Sequence, residues 1–95
     1  MGIYKTEKYE KKVCIKDILP TDLIFPPKTD QILIQKDSIV DCLIINSWLS
    51  YDWSSHNDYF IKIGDLYNQI SEETYNTKFI SLAELRQNQI DSVIN

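Results

Sequence analysis

Ser54, Ser55, His56 and Asp58 fall within one five-residue stretch and include the chain's one histidine. Hydroxyl, imidazole and carboxylate are the minimum set for nucleophilic catalysis: the imidazole takes the hydroxyl proton, and the carboxylate orients the ring. Cys42 is a second candidate nucleophile if the fold carries it to His56. Adjacency in sequence is weak support for either arrangement. Neighbours on an extended segment point to opposite sides, and working triads assemble from distant segments. A polar loop whose side chains bond the local backbone accounts for the same residues. The sequence therefore assigns no catalytic residue, and a small enzyme using His56 ranks last among its readings.

The same region is the most aromatic part of the chain. Trp48, Tyr51, Trp53, Tyr59 and Phe60 are five of the eleven Phe, Trp and Tyr residues, interleaved with Asp52, His56 and Asp58. Aromatic rings beside carboxylates can stack on sugars and cleave glycosidic bonds, but a glycosidase needs a deep cleft and this chain is short for one. A sugar-binding module is less demanding and also ranks low. An interaction surface requires the least: Trp and Tyr bury much area for few rotatable bonds, and flanking acids supply a polar rim. Trp48 directly follows an apolar run and Phe60 lies in an alternating one, so both are assigned to packing. Tyr51, Asp52, Trp53, His56 and Asp58 are the partner-binding candidates.

Cofactor signatures are missing. Gly2 and Gly64 stand alone, so no glycine-rich phosphate loop or dinucleotide fingerprint can be written. One histidine and two distant cysteines do not make a zinc cluster, and 52–65 lacks the alternating oxygen ligands of a calcium loop. No metal and no cofactor are expected.

At 95 residues the chain predicts a single compact domain, 1–95, with one modest core. Its net charge of −4 is unevenly spread, because Lys5, Lys8, Lys11, Lys12 and Lys16 outweigh Glu7 and Glu10 near the start. The rest is more acidic than the total. An acidic body argues against direct nucleic-acid binding, where cations must displace counterions, and favours a basic protein partner. No apolar run is long enough to span a membrane, and 1–12 is too polar for the heart of a signal peptide, which predicts a cytoplasmic protein without membrane contact. Cys14 and Cys42 sit in apolar runs and read as free, buried thiols.

Several elements are predicted to position these residues. Ile32–Gln35 and Ile39–Ile45, separated by Lys36-Asp37-Ser38, read as a hairpin. The second run is apolar on both faces apart from Asp41, which puts it in the middle of a sheet with Asp41 needing a partner or an exit to water. Lys11–Lys16 and Tyr59–Ile63 alternate as half-exposed strands, and Leu23-Ile24-Phe25 fits an edge strand. A loop near Ser50–Asp58 then joins two strands. Asp65 is a plausible N-cap for a helix through about Thr74. Ser81-Leu82-Ala83-Glu84 is a capping box opening a helix whose apolar arc includes Leu82, Leu85, Ile90, Val93 and Ile94. Phe60–Leu66 echoes Phe79–Leu85, as two strand-to-helix entries would.

These elements predict an α+β fold: a small, mainly antiparallel sheet of four to six strands with one or two C-terminal helices packed on it. A small β-barrel with an appended helix is the alternative. The leading functional expectation is a small acidic, non-enzymatic binding protein that occupies or inhibits a macromolecular partner. It would be of the immunity or phage-type anti-defence class, directed at a basic, nucleic-acid-handling protein. The alternative from a different class is a structural or assembly subunit, homo-oligomeric or part of a larger complex, using a sheet edge or the C-terminal helix.

Overall fold

The computed structural model describes residues 3–49 and 54–86. Strands β1 (Ile3–Cys14), β2 (Ile39–Leu49), β3 (Ser55–Ile63), β4 (Leu66–Ile70) and β5 (Phe79–Ser81) form one antiparallel sheet in the order β4-β3-β2-β1-β5. Helix α1 (Glu72–Lys78) joins β4 to β5, and a second helix, α2, occupies 82–86. This is an α+β fold. Among the described residues the sheet is open, because its end strands do not pair, so the alternative barrel is not closed.

The two-faced apolar strand is the middle one, as its composition demands. Val40 and Cys42 of β2 share the inner face with Tyr59 and Ile61 of β3 and Ile70 of β4. Ile18 and Leu23 from the long β1–β2 connection, Tyr75 from α1 and Phe79 from β5 complete this core. On the outer face Leu43 is also buried. The rings of Tyr9 and Tyr67, from β1 and β4, meet edge-on at 6.3 Å and so close over the two strands between them. Asp41 lies on this face beside Lys11, Nζ to Oδ1 3.9 Å, with 45% of its side chain exposed. It has both the partner and the exit to water that the sequence requires.

Four expectations are corrected. The first strand starts at Ile3 rather than Lys11, and pairs with β2 in unbroken register over eleven residue pairs. Its polar alternation hides it from a hydrophobic-pattern reading, whereas backbone bonds and cross-strand pairs hold it in place. The hairpin of 32–35 with 39–45 does not form: both sides of β2 are taken by β1 and β3. Ile34 instead makes one bridge with Ile18, and Leu33 and Ile34 pack on the core. Residues 66–70 are strand, not helix. The echo between 60–66 and 79–85 therefore joins a strand–turn–strand to a strand–helix, and is not a structural repeat. Finally, Leu23 makes a single bridge to Ile70 rather than a strand, and Phe25 is 78% exposed.

The β3–β4 turn rests on Gly64, at φ +62°, the first central position of a two-residue Gly-Asp hairpin loop. A Cβ there would meet no atom within 4 Å, so the cost of Gly64→Ala is conformational alone. It is expected to destabilise the protein by about 1 kcal/mol, read as a shift in urea midpoint at constant slope. The helix then starts after Ser71, whose Oγ accepts from Thr74 N–H at 3.1 Å, with Glu72 and Glu73 in the first turn and Lys78 in the last. That distribution of charge suits the helix dipole. At α2, Ser81 Oγ accepts from Glu84 N–H at 3.1 Å, the serine half of the predicted capping box. Ile90, Val93 and Ile94 of its predicted apolar arc lie outside the described residues.

Candidate functional site

His56 and Asp58 are two apart on β3, so both side chains lie on the outer face. The imidazole Nε2–H donates to Asp58 Oδ1 at 2.7 Å, and Gln69 Nε2 on β4 donates to the same oxygen at 3.1 Å. The His56 side chain is 73% exposed and that of Asp58 only 29%. Asp58 is thus a fixed carboxylate at the bottom of a partly open site, and His56 is its outer wall.

The backbone explains why a groove exists there. β4 pairs with β3 only as far as Tyr59, opposite Ile70, after which the chain turns away at Ser71 into α1. The 55–58 segment of β3 continues past that point. A groove of about 440 Å³ opens in the corner, lined among others by Ile24, His56, Asp58, Gln69 and Glu72. Two carboxylates in one groove can accept hydrogen bonds from a guanidinium or ammonium, and Ile24 can take the apolar stem of such a side chain.

The inner face of the same end is aromatic. Trp48 of β2 stacks on Tyr4 of β1, its direct cross-strand partner, with centroids 4.4 Å apart and planes 19° from parallel. Tyr4 is 50% exposed. Next to this pair, Asn46 Nδ2 donates to Asn57 Oδ1 at 2.6 Å across β2 and β3.

Of the five sequence candidates, Tyr51, Asp52 and Trp53 lie outside the described residues, while His56 and Asp58 are brought into direct contact. The predicted loop near Ser50–Asp58 is shorter, because β3 already begins at Ser55. Trp48 and Phe60 are half-buried, consistent with packing roles. The pairing of Cys42 with His56 does not occur. Cys42 points into the core on the inner face, opposite Ile61, and is fully buried, while His56 sits five positions further on and on the other face. Among the described residues no group of three or more His, Cys, Asp or Glu side chains gathers as a metal site.

Sequence reasoning missed Tyr4 and Gln69, and weighed Glu72 with Glu73 as a second acidic contact but favoured a helix end. Tyr4 was legible only as part of a strand that pattern analysis starts too late. Gln69 and Glu72 carried a signal in the Gly-Asp turn before β4 and the Ser71-Glu72-Glu73 helix start after it. Comparison with known protein families, with curated proteins and with solved structures finds no match.

Proposed function

We propose that this is a non-enzymatic binding protein that occupies a basic macromolecular partner through the end of the sheet where β2 passes to β3. The observation that supports it is the Asp58 carboxylate, held by His56 and Gln69, which shares a groove of about 440 Å³ with Glu72. The chain joining β2 to β3 carries Tyr51, Asp52 and Trp53 in its sequence, and at the same end of β1 and β2 the half-exposed Tyr4 stacks on Trp48. Tyrosine and tryptophan are enriched among the residues that dominate interface energetics. An overall charge of −4 adds steering toward a positive surface. Occupation of such a surface is inhibition when the partner uses it to hold nucleic acid.

Affinity capture from a lysate of the source organism or its host tests this reading. The wild-type chain should retain a basic protein, and both the Asp52→Ala/Trp53→Ala double variant and Asp58→Asn should lose it by at least about tenfold, as truncation of interface centres does. Retention should weaken with salt. Equal capture by all three proteins, each folded, would remove this end of the sheet from the function.

A further inference from the structure

The two edges of the sheet are finished differently. On the β4 side, Leu23 bridges Ile70 and Ile24 N–H donates to the Gln69 carbonyl at 2.9 Å, so a passing segment covers the strand. On the β1 side, β5 covers only 12–14. Cys14 N–H donates to Ser38 O, toward β2, and Ile15 N–H donates to Lys78 O, on the β5 side. Backbone groups alternate along a strand, and the β1–β2 register is unbroken, so the odd-numbered residues of β1 face outward. Ile3, Lys5, Glu7, Tyr9 and Lys11 therefore present N–H and C=O groups that no strand takes among the described residues. Natural sheets blunt such an edge with proline, a bulge or short length. Residues 3–11 have none of these.

We propose that a second copy of this chain takes that edge, β1 against β1, antiparallel about a two-fold axis at Thr6, so that two sheets become one. Charge complementarity selects the partner and the register. Centred on Thr6, Lys5 of each copy faces Glu7 of the other, Tyr4 faces Lys8, and the two Thr6 side chains meet at the axis. Opposite charges, a cation beside an aromatic ring and a threonine pair are all favourable cross-strand neighbours. The odd-numbered pairs of this register are the ones whose backbone groups face outward, so the ladder bonds form where donors and acceptors are open. Glu7 uses Oε2 to accept from its own Tyr9 hydroxyl at 3.0 Å, which leaves Oε1 for the lysine of the second copy.

Neighbouring registers fail. An axis at Lys5, Glu7 or Lys8 sets like charges directly against each other, and the last of these also opposes Lys5 to Lys11. An axis at Tyr9 restores opposite charges but drives 4–6 of the second copy into the positions beside 12–14 that β5 occupies. Lysines on an edge ordinarily keep other strands away. Here the glutamates cancel them in one alignment, which makes the edge selective for its own sequence. The inference rests on β1 alone and is independent of the Asp58 groove.

Sedimentation equilibrium of the full chain over a concentration series tests it, with circular dichroism confirming that each variant is folded. Wild type should form a dimer. Lys5→Glu and Glu7→Lys should each weaken it by at least about tenfold, since both cross-axis pairs become like-charged. The double variant Lys5→Glu/Glu7→Lys should dimerise as wild type does. An equimolar mixture of the two single variants should form a heterodimer, because every facing pair is again of opposite charge. A wild type that stays monomeric at its highest soluble concentration would overturn the proposal. So would single variants that dimerise undiminished, or a mixture and double variant that restore nothing.

Discussion

Tyr75→Ala is expected to destabilise the protein by about 3–5 kcal/mol, the range for truncating a buried aromatic to alanine. Stability for a chain of this size is about 5–15 kcal/mol in total, so the loss is a large fraction of it. The reason lies in what one side chain holds together. Tyr75 is 3% exposed, stacks on Tyr59 at 4.6 Å between centroids and leans on Phe79 at 6.2 Å. Its hydroxyl donates to Glu10 Oε1, and Lys12 Nζ sits 4.2 Å from the ring centroid and 3.8 Å from the same glutamate oxygen. Helix α1 has only seven residues, too few to persist without tertiary contacts. Tyr75 is the one buried residue it contributes, so it carries the docking of α1 on β1 and β3. Tyr75→Phe separates the hydroxyl from the ring: it should cost about 1.5 kcal/mol, the low end for a bond to a charged group, because Lys8 and Lys12 still neutralise Glu10. Urea denaturation of both variants checks this. A loss below about 1 kcal/mol for Tyr75→Ala would mean that α1 is held elsewhere.

Tyr75 also illustrates what sequence could and could not convey. The middle strand was legible because Val40, Cys42, Leu43 and Ile44 leave no polar face, and a strand without a polar face has only one place in a sheet. Asp41 was legible too, as the single carboxylate there. Tyr75 carried no such pattern, because α1 is short and presents one apolar residue to the core. Periodicity needs several turns to rise above chance. β1 was hidden for the opposite reason. Tyr4, Thr6 and Lys8 run along the inner face beyond the part that α1 and the connection cover, so nothing selects for apolar residues there.

Other misses had a signal in plain view. Gly64-Asp65 between two apolar runs is a hairpin loop when glycine takes the first central position, and only a helical reading of Leu66, Tyr67 and Ile70 displaced it. Ser71-Glu72-Glu73 is a helix start by side-chain capping and by charge, since acids stabilise the N-terminal end. The site followed these errors. His56 and Asp58 were found from residue type, but the groove around them depends on where β4 ends and α1 begins, and both boundaries were misplaced. No local pattern encodes Gln69 reaching Asp58, because that contact is set by the β3–β4 register.

Cys42 should be labelled by thiol reagents about five-hundredfold more slowly in the folded protein than in urea at pH 9, where the unfolded thiol is half ionised. Burial pushes its thiol up from 9.0 to about 12, with Glu10 adding to the shift, and only the thiolate reacts. A shift of about three units lowers the thiolate fraction by about that factor, and full burial of the side chain restricts access further. Cys14 is shifted in the same direction by burial, so Cys14→Ala isolates the measurement. Linkage gives a second readout. The folded protein holds the proton more tightly than the unfolded chain, so the stabilising contribution is complete below about pH 9 and is lost as pH rises from 9 toward 12. Lysines and tyrosines titrate in the same window, so the informative quantity is the difference between wild type and Cys42→Ala. Wild type should lose stability more steeply above pH 9, and the two slopes should coincide below it. Labelling at pH 9 within tenfold of the rate in urea would mean that β2 opens locally at its centre, and the two-faced burial that places this strand in the middle of the sheet would then have to be given up.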